Sequence, residues 1–242
     1  MIKEALEYLV GLKRTETLTL GTKVYADRAM EVIHETKAYP KEIELSTLES
    51  LVAYIDENKD GIDLNNAMLH ITDYKTIALY TNLDEHMKRT HFTKCVAITP
   101  MFTFDRFMLS EEFNIGLQAL FCKDAQRDKI LKIIGNIKEN NVSTSSDDGV
   151  TQGVIVNKGI SLGEDEAIPN PVTLAPYRTF AEVKQPTSEF ILRVREGREK
   201  PEIALFEADG GVWKLEAIQI IKRALEELLK EKGLDDKIAI LA

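Results

Sequence analysis

The feature that most constrains this 242-residue chain is a change of hydrophobic period between Phe190 and Lys232. Phe190, Leu192 and Val194 alternate with Ile191, Arg193 and Arg195, as in a strand with one buried face. Ile203 and Leu205 alternate in the same way with Ala204 and Phe206, and Glu196-Gly197-Arg198 supplies a turn between the two runs. After Gly210-Gly211 the spacing becomes helical. Leu215, Ile218, Ile221, Leu225 and Leu228 recur at three and four residues and so share one face. Asp209 is placed to N-cap this helix, and Gly233 to close it in the left-handed region. Lys237 to Leu241 reads as a last short strand. The helix needs an apolar surface opposite it, and the preceding hairpin is the nearest one in sequence.

Upstream, the same reasoning predicts a helix over Lys3 to Lys13 and a hairpin of Thr15 to Leu20 with Lys23 to Ala26 around Gly21. A short strand at Ile43 to Leu45 precedes Ser46-Thr-Leu-Glu49, a capping box opening a helix through Leu48, Leu51, Val52 and Ile55. Ala67 to Ile71 and Thr76 to Tyr80 read as paired strands, and Phe92 to Ile98 as a third. Ser110 and Asp124 are placed to cap two helices. The first carries Phe113, Leu117, Leu120 and Phe121, the second Ile130, Ile133, Ile134 and Ile137. Asp148-Gly149 between two strand patterns signals a type I′ hairpin. The proline-rich run from Ile168 to Tyr177 reads as extended. The expected class is α+β: mixed, largely antiparallel sheets with packed helices and a long C-terminal helix. The texture changes near Asn140, which gives an N-terminal α/β half, 1–140, and a β-rich half ending in a helix, 141–242. No flexible linker separates them, so they are expected to form one compact unit.

Charge and composition narrow the function classes. No apolar run approaches the roughly 20 residues of a membrane span, and Met1 to Val10 reads as an amphipathic helix rather than a signal peptide. Cys95 and Cys122 are the only cysteines, too few for a disulfide framework, so a cytoplasmic protein with reduced thiols is expected. A net charge of −9 disfavours broad nonspecific DNA binding.

Several local patterns could carry chemistry, and each has a structural competitor. Asp56-Glu-Asn58-Lys-Asp60-Gly61 matches the opening of an EF-hand calcium loop, with oxygens at alternate positions and a glycine at the sharp turn. The twelfth position is Ala67 instead of a bidentate glutamate, so a helix end and turn is the better account and no metal or other cofactor is expected. Asp147, Asp148, Glu207 and Asp209 could hold magnesium for phosphodiester chemistry. They serve equally as turn, strand and cap residues. Asp165 with Glu182-Val-Lys184 loosely matches a nuclease-like acid and Glu-x-Lys pattern. The same spacing at Glu35–Lys37 and Glu57–Lys59 makes chance the better account. Arg193, Arg195, Arg198 and Lys200 give the hairpin a basic edge that suits phosphate contacts or simply discourages strand pairing. Trp213, Phe206 and Tyr177 are candidate stacking residues for single-stranded DNA. His86 and His91 are five apart and do not form an i, i+4 zinc pair; His34 and His70 stand alone.

Four stretches carry a family resemblance: Glu112-Phe-Asn-Ile-Gly-Leu-Gln-Ala-Leu-Phe; Asp147-Asp-Gly-Val-Thr; Asn170-Pro-Val-Thr-Leu-Ala-Pro-Tyr-Arg-Thr-Phe; and Leu205-Phe-Glu-Ala-Asp-Gly-Gly-Val-Trp-Lys-Leu-Glu-Ala. Through them the chain resembles a family encoded by phages and prophages of Gram-positive bacteria, with a looser likeness to YfdQ-like prophage proteins. The likeness spans most of residues 110–220 and carries no catalytic residues with it. It implies an intracellular phage setting with three themes: nucleic-acid handling, binding of a host defence protein, and self-assembly. The expectation is therefore a non-catalytic binding or assembly protein, a homo-oligomer, acting on itself, a phage DNA-metabolism partner or a host defence factor. The alternatives are a metal-dependent nuclease or phosphodiesterase and a single-strand DNA binder.

Overall fold

The structure is a computed structural model. It describes residues 2–11, 17–20, 23–26, 39–84, 87–136, 142–147, 152–156, 165–168, 170–195, 197 and 200–242. Two compact units divide the chain, Met1–Tyr39 and Pro40–Ala242. The first contains α1 (Ile2–Gly11), exposed along its whole length, and an antiparallel hairpin of β1 (Thr17–Leu20) with β2 (Lys23–Ala26). Gly21, between these strands, lies outside the described residues.

The second unit opens with β3 (Ile43–Leu45), α2 (Leu48–Glu57), β4 (Ala67–Asp73), β5 (Thr76–Thr81) and β6 (His91–Val96). It continues with β7 (Met108–Leu109), α3 (Ser110–Leu120), α4 (Ala125–Asn136), β8 (Val142–Asp147), β9 (Gln152–Val156) and β10 (Asp165–Ile168). β11 (Val172–Leu174), β12 (Ser188–Arg195), β13 (Glu202–Glu207), α5 (Trp213–Glu231) and β14 (Ala239–Leu241) complete it. A five-stranded mixed sheet runs β14-β4-β5-β6-β3, with its outer strands β14 and β3 parallel to their neighbours. A four-stranded antiparallel sheet runs β11-β12-β13-β7, and a three-stranded antiparallel sheet β10-β9-β8. The fold is α+β, and the first two sheets each draw strands from both sides of residue 140. Among the described residues, no helix is long and apolar enough to cross a membrane.

Two apolar cores follow from these sheets. In one, Leu48, Leu51, Val52 and Ile55 of α2 and Ile221, Leu225 and Leu229 of α5 pack with Leu69, Ile71, Ile77 and Leu79 of β4 and β5. In the other, Phe113 and Leu117 of α3 and Ile130, Ile133 and Ile134 of α4 cover Phe190, Leu192, Val194, Ile203 and Leu205 of the β12–β13 hairpin. β12 is thus buried as its alternation predicts, whereas in β13 Ala204 is buried together with Ile203 and Leu205; the hairpin lies under α3 and α4 and not under the helix that follows it. Gly210 (φ 63°) and Gly211 (φ 82°) separate β13 from α5. That left-handed bend is one that L side chains rarely adopt, and after it α5 joins the other layer.

The buried stripe of α5 also differs from the predicted one. It is Trp213, Ala217, Ile221, Leu225 and Leu229, an unbroken i, i+4 row. Leu215 is 67% exposed, and Ile218 and Leu228 are half-buried at its margins. Weighting the pattern by side-chain size favoured Leu215 over the small Ala217 and rotated the expected face. The C-terminus closes as expected on Gly233 (φ 64°). Its N–H donates to the Lys230 carbonyl at 3.0 Å, and the Leu234 N–H to Leu229 at 2.9 Å, a Schellman closure with Leu234 buried.

Three expected caps are replaced. Asp209 does not cap α5; Val212 occupies the N-cap with no side-chain bond, and Asp209 Oδ1 accepts from Gly211 N at 3.0 Å. Ser110 is the first helical residue of α3, not its cap. Thr47, not Ser46, caps α2, its Oγ1 accepting from Ser50 N at 3.1 Å. The remaining amides of that turn reach across the fold, because the Glu182 carboxylate accepts from Leu48 N at 3.0 Å and Glu49 N at 3.1 Å. Asp124 takes its predicted place, with Oδ1 accepting from Arg127 N at 2.7 Å. Ile137 lies outside the described residues.

The two leucines of α5 make the sharpest stability test. Leu225→Ala empties a fully buried site and should cost about 2–5 kcal/mol, whereas Leu215→Ala on the exposed face should stay within about 0.5 kcal/mol. Urea unfolding of both variants measures the contrast, and equal losses would refute the rotated stripe.

Candidate functional site

The segment after β11 is irregular yet buried, and Gln185 explains how. Its Oε1 accepts from Arg178 N at 2.9 Å and Thr179 N at 3.2 Å, and its Nε2 donates to the carbonyls of Phe180 at 2.8 Å and Val183 at 3.1 Å. One buried amide side chain therefore satisfies four backbone groups that no sheet reaches. This fixes Arg178, whose side chain is only 8% exposed. One guanidinium nitrogen donates to Ser188 Oγ at 3.1 Å and another to Glu207 Oε1 at 2.5 Å. The cation also lies over three rings, 4.3 Å from the centroid of Trp213, 4.6 Å from Phe104 and 5.3 Å from Phe190. Burial pushes the Arg178 pKa down, and the nearby carboxylates of Glu207 and Asp209 oppose that shift.

Arg178, Glu207 and Trp213 border a cleft of about 290 Å³, whose other walls include Tyr74, Pro100, Met101, Pro176 and Tyr177. Met101 is 89% exposed at its rim. Tyr74 meets Trp213 edge-on, with centroids 4.8 Å apart. Lys75 Nζ lies 5.7 Å from the Tyr74 centroid, and Lys214 Nζ 6.0 Å from Tyr74 and 5.7 Å from Trp213. The Tyr177 phenol is pushed up in pKa, first by neighbouring Cys122.

The candidate residues scatter over several places. Glu207 and Asp209 come together, but around a cation, Arg178. Asp147 ends β8 in the three-stranded sheet, paired with Gln152, and Asp148 with Gly149 lies outside the described residues. In the calcium-like loop, Asp56 faces Lys232 at 3.1 Å. Asn58 is the left-handed C-cap of α2 and exchanges two bonds with Ile62, at 2.7 and 2.9 Å. Asp60 accepts from Tyr54 Oη at 2.6 Å. These oxygens serve three different partners, as a helix end does. Among the described residues, no three His, Cys, Asp or Glu side chains converge as a metal set. Glu182 of the nuclease-like pattern is the α2 cap, and Asp165 begins β10.

On the basic edge, Arg195 pairs with Glu202 at 2.6 Å and lies 3.9 Å from the Phe107 centroid. Arg193 and Lys200 are half-buried, and Arg198 lies outside the described residues. Two of the three stacking candidates are occupied, while Tyr177 is 37% exposed on the cleft wall. Arg178 lies over the Trp213 ring, and Phe206 meets Phe107 edge-on at 5.9 Å. His70 Nδ1 is 2.8 Å from Tyr80 Oη, and His91 Nδ1 is 3.4 Å from Glu42; His34 and His86 lie outside the described residues. Cys95 is fully buried, its thiol donates to the Thr47 carbonyl at 3.3 Å, and burial pushes its pKa up to about 12.

Sequence reasoning missed Arg178 and Gln185, whose only local signal is a charged residue set between Pro176-Tyr177 and Thr179-Phe180. Glu207→Ala should leave the guanidinium buried without its carboxylate and cost about 1–3 kcal/mol. Asp209→Ala, which removes one turn bond, should cost less than about 1 kcal/mol. Chemical denaturation of the two variants measures the ranking, and a larger loss at Asp209 would contradict it. Cys95 supplies a pH test. Its thiol ionises at 9.0 ordinarily and at about 12 in the fold, so the unfolded chain releases that proton first. This contribution is complete below pH 9 and is lost as the pH climbs toward 12. Cys95→Ala should flatten that alkaline decline, as read from melting temperatures across the range.

Compared with protein-family models, with curated proteins and with solved structures, the chain matches none.

Proposed function

We propose that the chain is a non-catalytic binding or assembly protein of a phage or prophage, working in the cytoplasm of the bacterium on itself, on a phage DNA-metabolism protein or on a host defence factor. The observation that carries this reading is the cleft beside Arg178. Its walls combine tyrosine, proline and methionine, side chains that make good contact surfaces, with the half-exposed Lys75 and Thr99. The acid at its edge, Glu207, is already bonded to Arg178. A proton or metal taken up by Glu207 would weaken its ion pair with the buried Arg178 guanidinium, and weakening such a pair is costly. Self-association has separate support in α1, where Ile2, Leu6, Leu9 and Val10 are exposed at helical spacing. The likeness of residues 110–220 to phage and prophage proteins supplies the setting.

The purified chain should cleave neither single- nor double-stranded DNA with magnesium or manganese, and light scattering should give a mass above the monomer at high micromolar concentration. Magnesium-dependent cleavage that a folded Glu207→Gln, Asp209→Asn variant loses would overturn the reading in favour of a nuclease. A monomeric mass would remove the assembly half of it.

A further inference from the structure

The helix α1 has ten residues, and none of them is buried. An isolated helix shorter than about 12–15 residues is marginal in water, and most helices owe their stability to an apolar face packed on something else. α1 has such a face. Ile2, Leu6, Leu9 and Val10 recur at helical spacing and are 56–81% exposed. No described residue of the chain covers them.

The charges beside this stripe indicate what kind of surface fits it. Lys3 and Glu7 stand one turn apart on its edge and border the same shallow groove as Ile2, Leu6 and Val10. Among the described residues neither has an ion-pair partner, and they do not pair with each other. A second α1 laid antiparallel sets its Glu7 against Lys3 and its Lys3 against Glu7. One pattern thus makes two intermolecular pairs across a two-fold axis, the self-complementarity that an isologous contact requires. A parallel neighbour would oppose lysine to lysine and glutamate to glutamate. Lipid headgroups and nucleic-acid backbones fit less well, because α1 carries Glu4 and Glu7 against one cation, Lys3, and this net charge repels phosphate.

We infer that α1 is a homotypic contact: the helices of two copies pack antiparallel about a two-fold axis near Ala5, stripe against stripe, with Lys3 of each copy paired to Glu7 of the other. The inference rests on the assembly half of the proposed function and names the contact that produces it. The faces are small. A helix of ten residues is about 15 Å long, so the pair buries less than the roughly 1,200 Å² of a stable interface. The association is therefore weak and concentration-dependent.

Sedimentation equilibrium of the full chain measures it. The wild-type mass should rise with concentration. Leu6→Lys, at an exposed position, should abolish the rise and leave the main melting transition in place. Lys3→Glu alone and Glu7→Lys alone each set like charges across the axis and should weaken self-association about two- to fivefold. Mixed together, these two variants should associate more tightly than either does alone, and the double swap Lys3→Glu, Glu7→Lys should recover the wild-type affinity. Single variants that match the wild type, or a mixture no tighter than its components, would overturn the antiparallel contact. Self-association that survives Leu6→Lys removes this inference and leaves assembly standing through another surface. A monomeric wild type removes the assembly reading as well, and binding of that monomer to phosphatidylglycerol vesicles would assign the stripe to lipid instead.

Discussion

The junction between the two cores depends on one buried cation. Arg178 touches Phe104 and Phe190 from the hairpin side and Trp213 from α5, and it bonds to Glu207 at the end of β13. Desolvating a guanidinium costs several kcal/mol, while each cation–π contact returns only about 0.5–2 kcal/mol and the carboxylate bond about 1.5–3. These terms nearly cancel, so the arrangement adds little to net stability. Its effect is geometric. A planar cation that must satisfy a serine, a carboxylate and three ring faces admits few alternative packings, and the cleft wall inherits that rigidity.

The segment 176–187 is what brings the cation there. Pro176 bridges to Phe121 beside one core, and Phe180 is buried in the other. Two residues later Glu182 caps α2, and Gln185 closes the backbone hydrogen bonds of the turn. A stretch with almost no regular structure thus spans both cores. It can do so because Gln185 satisfies four of its backbone groups and Glu182 meets a helix end that needs an anion, although the buried Thr179 hydroxyl has no partner among the described residues. The two roles reinforce each other: the bonds that make the segment buriable also hold Arg178 against the rings.

This explains which parts of the fold were legible in the sequence. The β12 alternation, the β4–β5 pair, the Asp124 cap and the Gly233 closure depend on neighbours within a few residues, and local sequence reveals such neighbours; the full burial of Ala204 in β13 was not legible. The face of α5 was only partly legible, because Ala217 is apolar but small and a size-weighted pattern prefers Leu215. The helix partner was misjudged because proximity along the chain says nothing once two left-handed glycines redirect it. The pairings of Glu182 with α2, across 134 and 133 residues, and of Arg178 with Glu207, across 29, leave no periodic trace. Glu182 was therefore open to misreading as part of a nuclease pattern, and Arg178 drew no notice at all.

Burial and neighbouring groups also set the ionisation of side chains elsewhere in the fold. A nucleophile or general base works when its pKa is brought toward neutrality. The displaced thiol and phenols of this chain move the other way. Cys95 and Tyr54 are pushed up to about 12, and Tyr177 is raised beside Cys122. In each case burial or a neighbouring acid or thiol disfavours the anion, which is the signature of groups held neutral for packing and hydrogen bonding. Glu207 Oε1 accepts from the buried Arg178 guanidinium, with Ser188 and Asp209 also facing that cation.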